Sequence, residues 1–206
     1  MLRRSFLSGL SGFQAFAFLQ SPVATLRSWQ AARHAQDDWF DENSAKHRVL
    51  FDTWNAERFP DAMQFAGNYL ETNKTDYELP NSDLAVVIVF RHRTTPFAFN
   101  DAMWAKYGKS FSDQMKWVDP NTHEAPTANP YATRLAALSA QGIKFAICNR
   151  TTRAYSNNAA QRAGAKPEDV KAEMMANIVG PGHFVPAGVI AVTRAQERGY
   201  ANISIG

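Results

Sequence analysis

The chain has 206 residues, of which 45% are hydrophobic and 20% are charged. This composition is not that of a disordered chain, and the length is sufficient for one domain with a buried core. The formal net charge of +3 and an isoelectric point near 9.1 would suit a nucleic-acid-binding protein. Whether that interpretation holds depends on where the basic residues lie in the chain.

Residues 1–24 resemble a secretory signal peptide of the twin-arginine (Tat) type. The run Arg3-Arg4-Ser5-Phe6-Leu7 matches the core of that signal, which is two arginines, any residue and Phe-Leu. The apolar stretch after it is too short and too polar for a spanning helix. Cleavage after Ala24 would remove two arginines and no acidic residue, which lowers the net charge from +3 to +1. Nucleic-acid binding then loses its main support.

The Tat resemblance implies export of a folded protein to the periplasm. No membrane contact is expected beyond this signal. An amphipathic N-terminal helix or an uncleaved membrane anchor is the alternative interpretation of the same residues. Export would bring the lone cysteine, Cys148, into an oxidising compartment without an intramolecular partner.

Strand and helix patterns alternate through the rest of the chain. Residues 25–45 are polar and are interpreted as a linker that docks through Trp39 and Phe40. The predicted strands are HRVLFD, DLAVVIVF, IKFAIC, GHFV before Pro186 and YANISI. The predicted helices are PDAMQFAGNYLE, FAFNDAMWAKYG ending at Gly108, YATRLAALSAQ, a short one over Arg150–Tyr155, KPEDVKAEMMANI and VIAVTRAQERG. Residues 109–129 form a polar, proline-containing insert of the kind found in lids, interfaces and mobile loops.

The strand patterns favour a parallel sheet with helices on both sides. The apolar run of residues 83–90 is continuous rather than alternating, so both faces of that strand should be covered. In open parallel sheets, ligands bind beyond the carboxyl ends of the strands. Three clusters follow predicted strands there, and they supply the candidate ligand-binding and catalytic residues: Asp52 and Asn55; Arg91, His92 and Arg93; and Cys148, Asn149, Arg150 and Arg153.

These clusters predict an electropositive, polar site around Cys148. A helix N-terminus and nearby arginines stabilise a thiolate, which is the nucleophilic form of cysteine. The residue pattern alone equally allows an inert, packed cysteine. The histidines lack metal-ligand spacing, and the chain lacks the glycine-rich nucleotide motifs and the G-x-S-x-G motif of serine hydrolases. No metal and no cofactor are therefore expected.

Two long stretches resemble the DsrE/DsrF-like family of sulfur-relay proteins. They are GIKFAICNRTTRAY and the C-terminal HFVPAGVIAVTRAQERGYANISI, with a weaker likeness in VVIVFRHRTTPFAFNDAMWAKYG. The resemblance spans residues 46–206. It implies a three-layer α/β/α domain of flavodoxin-like architecture with a mainly parallel five-stranded sheet, assembled into oligomers. In the sulfur-transferring members, the cysteine that matches Cys148 carries a persulfide.

Two functions follow as hypotheses. In the first, Cys148 carries sulfur between a donor and an acceptor protein, Arg150 and Arg153 stabilise its charge, and His92 assists from the neighbouring loop. In the second, the protein is a non-catalytic module that binds a small ligand or assembles with a partner, and Cys148 is structural. A metal or redox protein is a third class, which the Tat-type signal would suit and which the ligand pattern does not support.

Overall fold

The computed structural model describes residues 30–42 and 44–206. The chain divides into two compact units, residues 1–32 and 33–206, and every helix and strand given below belongs to the second. The Tat-type segment 1–24 and the first residues of the predicted linker lie outside the described residues.

The sheet has five strands, all parallel, and each coincides with a predicted strand. They are His47–Thr53 (β1), Leu84–Phe90 (β2), Lys144–Cys148 (β3), Gly182–Val185 (β4) and Ala201–Ile205 (β5), in the spatial order β4-β3-β2-β1-β5. Every residue of β2 is buried, as its continuous apolar run predicts. The strand order differs from the 2-1-3-4-5 order of flavodoxin. The likeness to flavodoxin therefore concerns the layers and not the order of the strands.

Helices cover both faces of the sheet, which confirms the predicted three-layer α/β/α fold. They are Phe59–Asp76 (α1), Asp101–Met115 (α2), Ala132–Ala140 (α3), Asn149–Ala163 (α4), Pro167–Ala176 (α5) and Gly188–Gln196 (α6). The steps from β1 to β4 all move in one direction across the sheet, so right-handed crossovers place α1 to α5 on one face. The step from β4 to β5 moves back to the opposite edge, and α6 accordingly packs on the other face.

A short 3-10 helix, Ala35–Asp41, completes the layer that contains α6. This segment lies within the predicted linker, and its aromatic residues Trp39 and Phe40 are buried. The hydroxyl of Tyr200 donates to the carbonyl oxygen of Phe40 at 2.7 Å. Trp39 also stacks on His183 of β4 with 4.2 Å between ring centroids. These contacts cover a part of the sheet that α6 alone leaves open.

Two predicted helix ends are wrong, and both helices are longer than expected. The helix α2 continues through Gly108 to Met115. Glycine is required there because a Cβ at position 108 would lie 2.1 Å from the carbonyl oxygen of Pro126. The helix α4 continues past Tyr155 to Ala163, where Gly164 ends it in a left-handed conformation with φ of 63°.

The predicted insert is anchored to the core at both ends. Residues 109–115 belong to α2, and Trp117 is buried edge-to-face against Phe97. The side-chain nitrogen of Asn129 donates to the carbonyl oxygens of Phe97 and Phe99 at 2.8 and 2.6 Å. The chain between residues 116 and 131 is therefore held against the segment that follows β2.

Candidate functional site

The segments that follow β3 and β4 leave the sheet toward opposite faces. The two strands are neighbours, and Cys148 pairs in register with Val185. After β3 the chain enters α4 on one face, and after β4 it enters α6 on the other face. Loops that leave adjacent strands toward opposite faces open a crevice, which is where parallel α/β sheets bind ligands. Cys148 lies at that crevice.

The sulfur of Cys148 is the N-cap group of α4. Its Sγ accepts hydrogen bonds from the backbone N–H of Thr151 at 3.4 Å and from the Thr151 hydroxyl at 3.1 Å. The positive end of the helix dipole points at the same atom. Two hydrogen-bond donors and a helix N-terminus therefore meet at this sulfur. Cys148 is buried, with 4% of its surface exposed, so a reactant reaches it only if a neighbouring side chain moves.

A partly buried ion pair lies near the cysteine. Arg91 binds Asp52 through two hydrogen bonds, from Nε to Oδ1 at 2.6 Å and from its terminal nitrogen to Oδ2 at 2.8 Å. This bond to Asp52 raises the pKa of Arg91 above its usual range, and the charges of Asp52 and Cys148 add to the effect. A Cβ on Gly188 would lie 2.5 Å from the Cβ of Arg91, so the first turn of α6 holds this arginine tightly.

The two predicted asparagines have different surroundings. The side-chain oxygen of Asn55 accepts from the backbone N–H groups of Glu57 and Arg58 at 2.9 and 3.4 Å, so it stabilises the turn before α1. The side-chain oxygen of Asn149 is buried and has no hydrogen-bond partner within the described part of the chain. Asn149 follows Cys148 directly in the chain.

A cleft of about 590 Å³ opens between α4, the end of α2 and the segment after β2. Four predicted site residues line it, and all of them are basic: His92, Arg93, Arg150 and Arg153. Thr151 lines the cleft as well, and it is the residue that donates to the cysteine sulfur. The side chain of Thr151 therefore lies between the sulfur and this cationic cleft.

The backbone of His92 is in the left-handed region, with φ of 54°. This conformation costs about 1 kcal/mol for a residue with a side chain. The N–H of His92 donates to the Thr151 hydroxyl at 3.4 Å, so this loop is tied to the start of α4. The side chain of His92 is exposed and lines the cleft.

Five cleft residues were not predicted as site residues: Gln114, Thr151, Ala154, Tyr155 and Asn157. Gln114 belongs to the part of α2 beyond Gly108, where no helix was predicted. A signal for Asn157 was available, because Arg150, Arg153 and Asn157 recur at i, i+3 and i+7, which places them on one face of a longer helix.

The Thr151 hydroxyl is the side-chain group that donates a hydrogen bond to the Cys148 sulfur. We expect Thr151→Val, which keeps the volume and removes the donor, to slow alkylation of Cys148 in the folded protein roughly threefold. Valine removes one of the two hydrogen bonds to Sγ, so the anionic sulfur of the reaction loses that stabilisation, and the greater nucleophilicity of a less stabilised sulfur offsets part of the effect. Thr151→Ser keeps the hydroxyl and is the matched control. Equal alkylation rates for the valine and serine variants would show that the hydroxyl does not act on the sulfur.

Within residues 30–42 and 44–206, no group of three or more His, Cys, Asp or Glu side chains is placed to hold a metal ion. The same residues contain no helix that is both long and apolar enough to cross a membrane. A scan against protein-family models and a search of curated proteins both find no match to this chain. The class that fold and site define is a three-layer α/β/α protein with a buried cysteine beside a cationic cleft.

Proposed function

We propose that this chain is an exported, DsrE-like sulfur carrier that holds sulfane sulfur on Cys148 as a persulfide. The observation that carries the proposal is the setting of the sulfur, which caps α4 at the divergence of the loops and accepts two hydrogen bonds from Thr151. The resemblance of residues 1–24 to a Tat signal supports a periplasmic location. The family likeness supports a homo-oligomer that exchanges sulfur with a donor and an acceptor protein.

The transfer requires no cofactor and no net oxidation. The Cys148 thiolate attacks the outer sulfur of a donor persulfide, R–S–SH. A new S–S bond forms at Cys148 while the S–S bond of the donor breaks, and the donor leaves as the thiolate R–S⁻. The transferred sulfur keeps its proton, which gives Cys148–S–SH. An acceptor thiolate discharges this group by the same reaction in the opposite sense.

The chain's own groups have separate roles in this proposal. Thr151 and the N-terminus of α4 stabilise the charged sulfur, and Arg91, held by Asp52, adds positive charge nearby. Arg150, Arg153 and His92 attract the donor to the cleft. Burial of Cys148 protects a stored persulfide from oxidation, which an exposed one would undergo in an oxidising compartment.

The test is persulfide loading followed by intact-mass spectrometry. Folded protein incubated with glutathione persulfide is expected to gain the mass of one sulfur atom, and a reductant should remove it. Cys148→Ser should show no gain, because the receiving atom is absent. Loading of the serine variant to the wild-type extent would refute the proposal.

The binding-module hypothesis remains the second candidate, and the 4% exposure of Cys148 favours it. A structural cysteine would resist a thiol reagent in the folded protein and react rapidly after unfolding. A sulfur carrier would instead react with glutathione persulfide while folded. Hydrogen exchange measures the rate at which the protein unfolds globally under the loading conditions. Loading faster than that rate takes place in the folded protein, and loading at that rate follows unfolding.

A further inference from the structure

The cationic residues of the cleft differ from other arginines of the described chain in lacking counter-charges. Arg93, Arg150 and Arg153 have no carboxylate within ion-pair distance among the described residues, and Arg134 on α3 is the remaining unpaired arginine there. The paired arginines are Arg33, Arg48, Arg58, Arg91, Arg162, Arg194 and Arg198. Three of the four unpaired guanidinium groups therefore line one cleft.

The three arginines give the cleft a positive potential. Arg150 and Arg153 are exposed and Arg93 is partly buried, so water reduces the repulsion among the like charges without abolishing it. Among the described residues, no carboxylate lines the cleft to offset them. Burial raises the pKa of Tyr155, which lines the same cleft, and the charge of Arg93 acts in the opposite direction. An anionic ligand would remove this repulsion.

The dimensions of the cleft favour an organic anion over an inorganic one. Its volume of about 590 Å³ lies within the range of pockets for small organic molecules. Neutral polar groups are also present, since Gln114 and Asn157 line the same cleft. The side-chain oxygen of Gln114 is buried and has no partner in the described part of the chain, so it can accept from an N–H group of a ligand.

The cleft is coupled to the sulfur through one side chain. Thr151 lines the cleft, and its hydroxyl lies 3.1 Å from the Sγ of Cys148. Rotation about the Cα–Cβ bond of Thr151 would move the methyl and hydroxyl groups that separate the sulfur from the cleft. A ligand bound by the arginines would then have its reactive end beside Cys148.

We infer that the cleft binds the sulfur donor, and that this donor is a low-molecular-weight organic persulfide carrying carboxylate and amide groups. The inference rests on the proposed function, because it assigns the donor for the transfer to Cys148. Arg93, Arg150 and Arg153 hold the carboxylates, Gln114 and Asn157 hold the amides, and the outer sulfur reaches the thiolate past Thr151. Transfer follows the reaction given above, with the donor leaving as its thiolate.

Calorimetric titration with reduced glutathione tests ligand binding in the cleft separately from sulfur transfer. This probe has the carboxylates and amides of the donor, and it lacks the outer sulfur that a persulfide transfers. We expect binding to wild type and to Cys148→Ser with similar affinity. Arg150→Glu/Arg153→Glu should weaken binding at least about tenfold by reversing two charges. Arg150→Gln/Arg153→Gln, which is less disruptive to the fold, should lose affinity in the same direction. Arg134→Glu is the matched control, and its affinity should be unchanged.

The outcomes separate the inference from the proposed function. Absent glutathione binding, or inorganic phosphate binding as tightly as glutathione, would overturn the inference even if Cys148 still loads from other donors. Arginine-dependent binding of glutathione without loading of Cys148 by glutathione persulfide or any other persulfide would overturn the proposed function, and with it the assignment of the ligand as a donor. Arginine-dependent binding together with arginine-dependent loading from glutathione persulfide would support both.

Discussion

Replacing Asp52 with asparagine is expected to lower the free energy of unfolding by about 3 kcal/mol, because the change leaves Arg91 charged without its partner. Asp52 is 5% exposed and accepts both hydrogen bonds of a bidentate pair. The first turn of α6 also restricts Arg91, since Gly188 leaves no room for it to move aside. Urea denaturation measures the loss.

Two further variants test whether the unpaired charge of Arg91 causes the loss of stability in Asp52→Asn. Glu57→Gln changes an exposed carboxylate without an ion pair in the described chain, and its effect should stay within about 0.5 kcal/mol. The double variant Asp52→Asn/Arg91→Met removes the charge together with its partner and should recover part of the lost stability. If the double variant is as unstable as the sum of the single changes, the ion pair is not the origin of the effect.

Asn129→Ala is expected to cost about 3 kcal/mol of stability, since it leaves several buried backbone groups without partners. The side chain donates to the carbonyl oxygens of Phe97 and Phe99 and accepts from the backbone N–H of Tyr131 at 2.8 Å. These bonds fasten the insert to the segment after β2, which contains the 3-10 helix His92–Ala98. Loss of the anchor should therefore also loosen one wall of the cleft.

Thermal unfolding and hydrogen exchange measure the two effects of Asn129→Ala. Asn121→Ala, in the exposed part of the same insert, is the control and should change stability by less than about 0.5 kcal/mol. The exchange of amides in residues 92–98 should accelerate only in the Asn129 variant. Unchanged exchange there would mean that the insert does not support this segment.

The layered fold could be predicted because local sequence patterns indicate which segments are strands and whether both of their faces are covered. Continuous apolar runs mark strands that are covered on both faces, and β2 is the clearest of them. The position of Cys148 at the end of β3 could be predicted for the same reason, since the run IKFAIC stops at that residue. The basic residues that follow the strands were also identified, and His92, Arg93, Arg150 and Arg153 do line one cleft.

Other features depend on contacts between distant parts of the chain. Gly108 has the local properties of a helix end, yet it lies inside α2 because the backbone at Pro126 requires a residue without a side chain. Asp52 and Arg91 are both polar residues after a strand, and no local pattern shows that they pair with each other. The aromatic residues of the 3-10 helix were expected to dock, but the sequence does not indicate that Trp39 would stack on His183.

The residue types and their periods specify the order of strands and helices, the single cysteine and the basic loops after the strands. The tertiary structure alone decides that Cys148 is buried and that Thr151 lies between its sulfur and the cleft. It also decides that three arginines in this cleft have no counter-charge within the part of the chain that the structure describes. The reason is physical. Periodicity reports how one element meets its immediate surroundings, whereas burial, ion pairing and cleft shape depend on side chains brought together from segments far apart in the sequence.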